Sequence, residues 1–121
     1  MKHNEDAEQI SLMTWVKAMA NIYPMLKFVY HTPNGGYRDV RVAAKLKAMG
    51  TKAGVWDIFV PLPTGLFIEM KIGKNKLTTH QHEFMTGLID YGYKFAVCYS
   101  WHEAALVIAE HIGMEKEHIP Q

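Results

Sequence analysis

A single cysteine, Cys98, is the only thiol in this chain of 121 residues, so no internal disulfide is possible. Its setting, Phe95-Ala96-Val97-Cys98-Tyr99, reads as a buried strand position and an inert thiol. No apolar run reaches the roughly 18 residues of a membrane-spanning helix. Met1 to Gln9 is polar and acidic, unlike a signal peptide, so the expected compartment is the cytoplasm, with no membrane partner. Thirteen Lys and Arg against twelve Asp and Glu leave a net charge of only +1, too little for a protein that coats nucleic acid by bulk charge. There is no Gly-Lys-Thr phosphate loop, no dinucleotide glycine fingerprint and no Gly-x-Ser-x-Gly, so no nucleotide cofactor is expected. Of the seven histidines, His80 and His82 are two apart and point to different sides of a helix. No second pair has ligand spacing, which argues against zinc.

What the chain does have is enough apolar content, 49%, for the core of one globular domain over residues 1–121, with no linker and no internal repeat. Its charge is sorted. Between Arg38 and Lys52 lie five basic residues (Arg38, Arg41, Lys45, Lys47, Lys52) and one acid (Asp39), a local balance of +4, and Lys71, Lys74 and Lys76 follow. The acids gather near the ends, as Glu5, Asp6, Glu8 and then Glu110, Glu115, Glu117. One side of the molecule should be positive.

Three- and four-residue spacing of Ile10, Met13 and Val16 or Lys17 predicts a helix from Glu5 to about Ala20, ended by Tyr23-Pro24. Glu5 and Gln9 share a face there, and early acids also suit a helix N-terminus electrostatically. Lys27 to His31 reads as a strand and Pro33-Asn34-Gly35-Gly36 as a loop, whose glycines serve either a turn or a close approach to a ligand. Helix returns from Asp39 to Met49, with Val42, Leu46 and Met49 on one stripe and Arg38, Arg41 and Lys45 on another, and stops at Gly50. The basic stripe suits a solvated face or phosphate contact. Thr78 and Gln81 have capping-box spacing at the start of a helix whose Phe84, Leu88 and Tyr91 should be buried. Tyr93 to Tyr99 is the last strand, and Ser100 to Glu103 opens the last helix. The tail 113–121 has no core pattern and is expected to be poorly ordered. The sum is a mixed α/β domain, a central sheet with helices on both faces.

The chemistry gathers between Gly54 and Lys71. Two apolar runs, Ile58 to Leu62 and Leu66 to Met70, flank Pro63-Thr64-Gly65, which is a hairpin signal. With Pro63 at the centre, Asp57 stands opposite Glu69, and their side chains leave the same face. Lys71 joins them there, roughly 7 Å along the strand. Charges at the end of strands otherwise apolar on both faces are costly unless a cation joins them. A surface ion pair is the plainer reading of the same residues.

Asp57 followed by Glu69-Met70-Lys71, in an αβββαβ-like order, resembles the PD-(D/E)xK nuclease superfamily with its restriction-endonuclease-like core. Within it the chain is similar to the VRR-Nuc family, small stand-alone phage proteins and the nuclease ends of larger repair enzymes. The similar stretches are Pro33 to Gly36, Ala43 to Gly50, Lys52 to Asp57, Gly65 to Lys71, Leu77 to Gln81 and Gly92-Tyr93. The family usually has Pro where Trp56 stands, a change expected to alter backbone rigidity more than chemistry. The resemblance implies a Mg²⁺- or Mn²⁺-dependent endodeoxyribonuclease. Asp57, Glu69 and the Met70 backbone carbonyl would hold the metal, Glu5 or Glu8 would supply the helix carboxylate, Lys71 would handle the attacking water, and Gln81 would hold Lys71 or the water. Asn34, Arg38, Arg41, Lys45, Lys52, Lys74 and Lys76 would contact DNA. Stand-alone members are junction-cleaving homodimers, so the expectation extends to branched DNA in phage replication, recombination or repair, within the bacterial host cytoplasm. A DNA-binding or scaffolding protein that keeps the fold without cleaving is the alternative.

Overall fold

Asn4 begins the first helix by accepting the Ala7 N–H on its side-chain oxygen at 2.7 Å, and the helix, α1, runs Glu5–Met19 with Leu12 and Val16 turned fully inward. A computed structural model describes residues 4–33 and 39–121. After α1, Pro24 sets a 3-10 turn, Pro24–Phe28, and only Tyr30–His31 extends as β1. The strand expected from Lys27 is therefore corrected to these two residues. Proline's fixed φ and missing N–H favour a helical first turn, and this overrides the strand preference of Phe28 and Val29.

Helix α2 spans Val40–Ala48, capped by the Asp39 carboxylate on the Arg41 N–H at 2.8 Å. Then come β2, Ile58–Val60, and β3, Leu66–Met70. Helix α3, Thr79–Leu88, leads through a second 3-10 turn, Ile89–Tyr91, to β4, Lys94–Cys98. Helix α4, Trp101–Ile112, and a turn at Lys116–His118 complete the chain. The sheet order is β1-β2-β3-β4, antiparallel at the first two junctions and parallel between β3 and β4. Ile58 faces Ile68 and Val60 faces Leu66, so the hairpin is centred on Pro63 as its symmetry predicts.

Alternation along the strands sorts the two faces. Ile58, Val60, Leu66, Ile68, Met70 and Cys98 are buried with Leu12, Val16 and Leu26 and with Ala104, Ala105 and Ile108 of α4 in one apolar core. The Glu8 carboxylate of α1 accepts the Trp101 N–H at 2.8 Å, pinning the first turn of α4. The opposite face carries aromatics. Phe67 stacks on Phe95 with centroids 5.3 Å apart and meets Phe84 of α3 edge-on at 5.2 Å. Helices thus lie on both faces of a mixed sheet.

Three further expectations about burial are corrected. Tyr91 is 80% exposed, because α3 gives way to a 3-10 turn before reaching it and shifts its face. The apolar stripe of α2 is not core, with Val42 49% and Met49 72% exposed and only Leu46 half-buried, since among the described residues no other helix makes more than slight contact with it. The tail is placed against the core after all, through Met114 and Ile119. The Tyr23 hydroxyl holds it, bonded to His118 Nδ1 at 2.7 Å and accepting the Glu115 N–H at 3.0 Å. Two isolated apolar residues suffice for such docking, too few to show a period.

Candidate active site

Because β2 and β3 are in register about Pro63, the chain just before β2 meets the end of β3 at the open mouth of the hairpin. There the Asp57 N–H donates to Glu69 Oε1 at 3.1 Å, and the Met70 N–H donates to Asp57 Oδ2 at 2.9 Å. Each acid is thus held by the other's strand. The Asp57 carbonyl is fixed in turn by the Thr32 N–H at 2.7 Å and lies 2.9 Å from His31 Nδ1, so β1 supports the site from the sheet edge. In a strand the N–H and C=O of one residue point to the same side. Since the Met70 N–H points to Asp57, its carbonyl leaves toward the same mouth.

Glu69 is 3% exposed and Lys71 8%. The Lys71 ammonium lies 3.6 Å from Glu69 Oε2, and the Lys71 N–H donates to the Cys98 carbonyl at 2.9 Å, which anchors that end of the strand to β4. Gln81 comes from the first turn of α3. Its capping box with Thr78 is closed in both directions, and its Nε2 donates to Glu69 Oε2 at 2.9 Å. Gln81 is thus bonded to Glu69, a contact the sequence did not suggest.

Burial, and after it the Asp57 carboxylate, raises the Glu69 carboxyl to about 7, against the lesser opposing pull of the Asp57 N–H and the Lys71 ammonium. Glu5, at the N-terminus of α1, is also raised, by burial first and then by Asp57. Its carboxylate feels both Asp57 and Lys71, whereas Glu8 is turned to Trp101, so of the two acids Glu5 is the one that borders this side. Asp57, Glu69, Lys71, Gln81 and Glu5 all line one cleft of about 690 Å³. Among the described residues no three His, Cys, Asp or Glu side chains stand close enough to form a metal cage. Two carboxylates and a backbone carbonyl remain, a hard oxygen set suited to an ion that keeps several waters.

The positive residues divide. Lys52 lines the cleft, and so does Lys47, together with Ala43 and Leu46 of α2. At 3.6 residues per turn Arg41 and Lys45 fall on the opposite side of that helix. Lys74 and Lys76 are exposed on the loop after β3, which the Tyr99 hydroxyl holds by donating to the Asn75 carbonyl at 2.9 Å. Asn34 and Arg38 lie outside the described residues. Sequence reasoning did not single out Lys47, although the shared face of Ala43, Leu46 and Lys47 was readable from helical spacing. It also missed the contact of Trp56, whose indole N–H donates to the Gln81 carbonyl at 2.9 Å, because nothing in a sequence says which carbonyl a buried indole will find.

Compared with solved structures, the chain is similar to a protein described as a "VRR_NUC domain protein", with 30% identity, a TM-score of 0.78, and coverage of 94% of this chain and 93% of that one. No family model matches the sequence, and no curated protein matches it.

Proposed function

The chain belongs to the VRR-Nuc family and has its PD-(D/E)xK-like fold, and from that premise we propose that it is a divalent-metal-dependent endodeoxyribonuclease. The observation that carries this reading is the facing pair Asp57 and Glu69, bonded through each other's strands with a buried Lys71 ammonium 3.6 Å from Glu69. Two carboxylates this close, one of them raised to about 7, form a site that a cation relieves.

Asp57, Glu69 and the Met70 carbonyl would hold Mg²⁺ or Mn²⁺. When bound, such an ion supplies charge relief on the phosphate and a more acidic water. Lys71 then orients the attacking water and stabilises charge on the phosphate oxygens. Gln81 keeps Glu69 aimed, since its amide occupies one carboxylate oxygen while the Asp57 N–H occupies the other. Glu5 borders the same cleft and adds negative charge that draws in the cation. Lys47 and Lys52 on the wall, with Lys74 and Lys76 beyond, suit the phosphates of a DNA strand lying across the mouth.

One site per chain cuts one strand, so a homodimer acting on four-way junctions is the finer form of this proposal, in phage DNA replication, recombination or repair. The test of the reaction itself is direct. Asp57→Asn and Glu69→Gln should each abolish Mg²⁺- or Mn²⁺-dependent cleavage while DNA binding and the far-UV spectrum persist. Near-normal turnover in either variant would sink the assignment.

A further inference from the structure

Residues 54–57 do more than lead the chain into β2. Gly54 lies against the first turn of α3 with φ +82°, and a Cβ there would come within 2.3 Å of the His80 carbonyl oxygen and 2.9 Å of the Gln81 nitrogen. Two residues on, Trp56 is 1% exposed. Its ring packs edge-on against Phe95 with centroids 4.9 Å apart, and its indole N–H donates to the Gln81 carbonyl at 2.9 Å. Gln81 is therefore gripped at both ends. Trp56 has its main chain, while its side chain accepts the Thr78 N–H on Oε1 and donates to Glu69 Oε2 from Nε2, each at 2.9 Å.

A buried indole N–H requires an acceptor, and a helical carbonyl has a second lone pair to offer. The acceptor used here belongs to the residue whose amide holds Glu69. We propose that Trp56 is a positioning residue: its N–H sets the first turn of α3 at the depth from which Gln81 reaches Glu69 Oε2. The catalytic consequence rests on the nuclease reading, but the latch itself does not. Without the indole bond α3 keeps its Thr78 cap and its Phe84 contact with Phe67, so the helix persists. Its first turn, however, loses a tie from its main chain to the segment that carries Asp57, and Glu69 loses a fixed neighbour.

The test is Trp56→Phe, which keeps a ring against Phe95 and removes the N–H. In metal-free protein, NMR should show the Gln81 side-chain amide protons exchanging roughly tenfold or more faster than in the wild type, with the α3 signals otherwise folded. In cleavage assays kcat should fall by roughly tenfold at unchanged KM for DNA, the scale expected when a residue supporting a metal ligand is removed. In a Gln81→Met background the same substitution should cost nothing further, because the two act through one contact. An unchanged Gln81 amide, or an equal loss of kcat in both backgrounds, overturns the proposal. If the wild type cleaves no DNA, the nuclease reading fails and the amide exchange alone decides the latch. If Trp56→Phe does not fold, benzothienylalanine at position 56, with sulfur in place of the N–H and the same outline, takes its place with the same expected and overturning results.

Discussion

Burial and the neighbouring Asp57 hold the Glu69 carboxyl near 7, above its usual value of 4.5. An acid raised on folding binds its proton more tightly in the folded chain, so its contribution to stability is full below about 4.5 and is lost as pH rises through about 7. Metal-free protein should therefore unfold at lower urea concentration at pH 8 than at pH 5.5, and the gap should narrow in Asp57→Asn, which removes the second cause of the shift. Added Mg²⁺ binds the ionised pair and should narrow it as well. Chemical denaturation at the two pH values, with and without the ion, checks all three. At this scale the sequence was partly legible. Symmetry about Pro63 places Asp57 opposite Glu69 because hairpin pairing is local. That Glu5 borders the cleft while Glu8 turns to α4 was not legible, since it depends on where α4 puts the Trp101 N–H, 93 residues away.

Helix α2 presents Lys47 to the cleft and Arg41 and Lys45 away from it, and this difference can be measured. Replacing Lys47 and Lys52 with Ala should weaken DNA binding and reduce the log-log salt slope by about 0.9 per lost phosphate contact. The pair Arg41→Ala and Lys45→Ala should change the slope less. Equal changes from both pairs would mean that DNA wraps the helix instead of crossing the mouth. At α3, Thr78→Ala removes an N-cap and should cost about 1 kcal/mol in denaturant unfolding. Gly54→Ala should cost more, because the new methyl meets main chain at a positive φ. Capping signals at Thr78 and Ser100 could be read because they depend on neighbours three residues apart. The fate of Lys27 to Val29 could not, since one proline decided it, and the open stripe of α2 could not, since amphipathic spacing names a face without naming what covers it.

Among the described residues, one pair of facing acids stands at one end of a four-stranded sheet. Paired cuts on opposing strands then require two chains, and a two-fold dimer matches the two-fold form of a four-way junction. Light scattering at micromolar concentration should give twice the 13.8 kDa chain mass, and junctions should be cut in preference to linear duplex. A monomer, or equal cleavage of both substrates, would remove the junction proposal while leaving the nuclease reading in place. Cys98 opens a way to watch this happen. It is wholly buried on β4, and burial, with a smaller push from Glu103, raises its thiol to about 12. At pH 8 only on the order of one molecule in ten thousand carries the thiolate that reacts with maleimides. The native chain is therefore already a silent background for labelling. A cysteine introduced at exposed Lys74 would take a fluorophore alone, and energy transfer between two such chains, or from one to a dye on a junction arm, would report assembly and docking in real time.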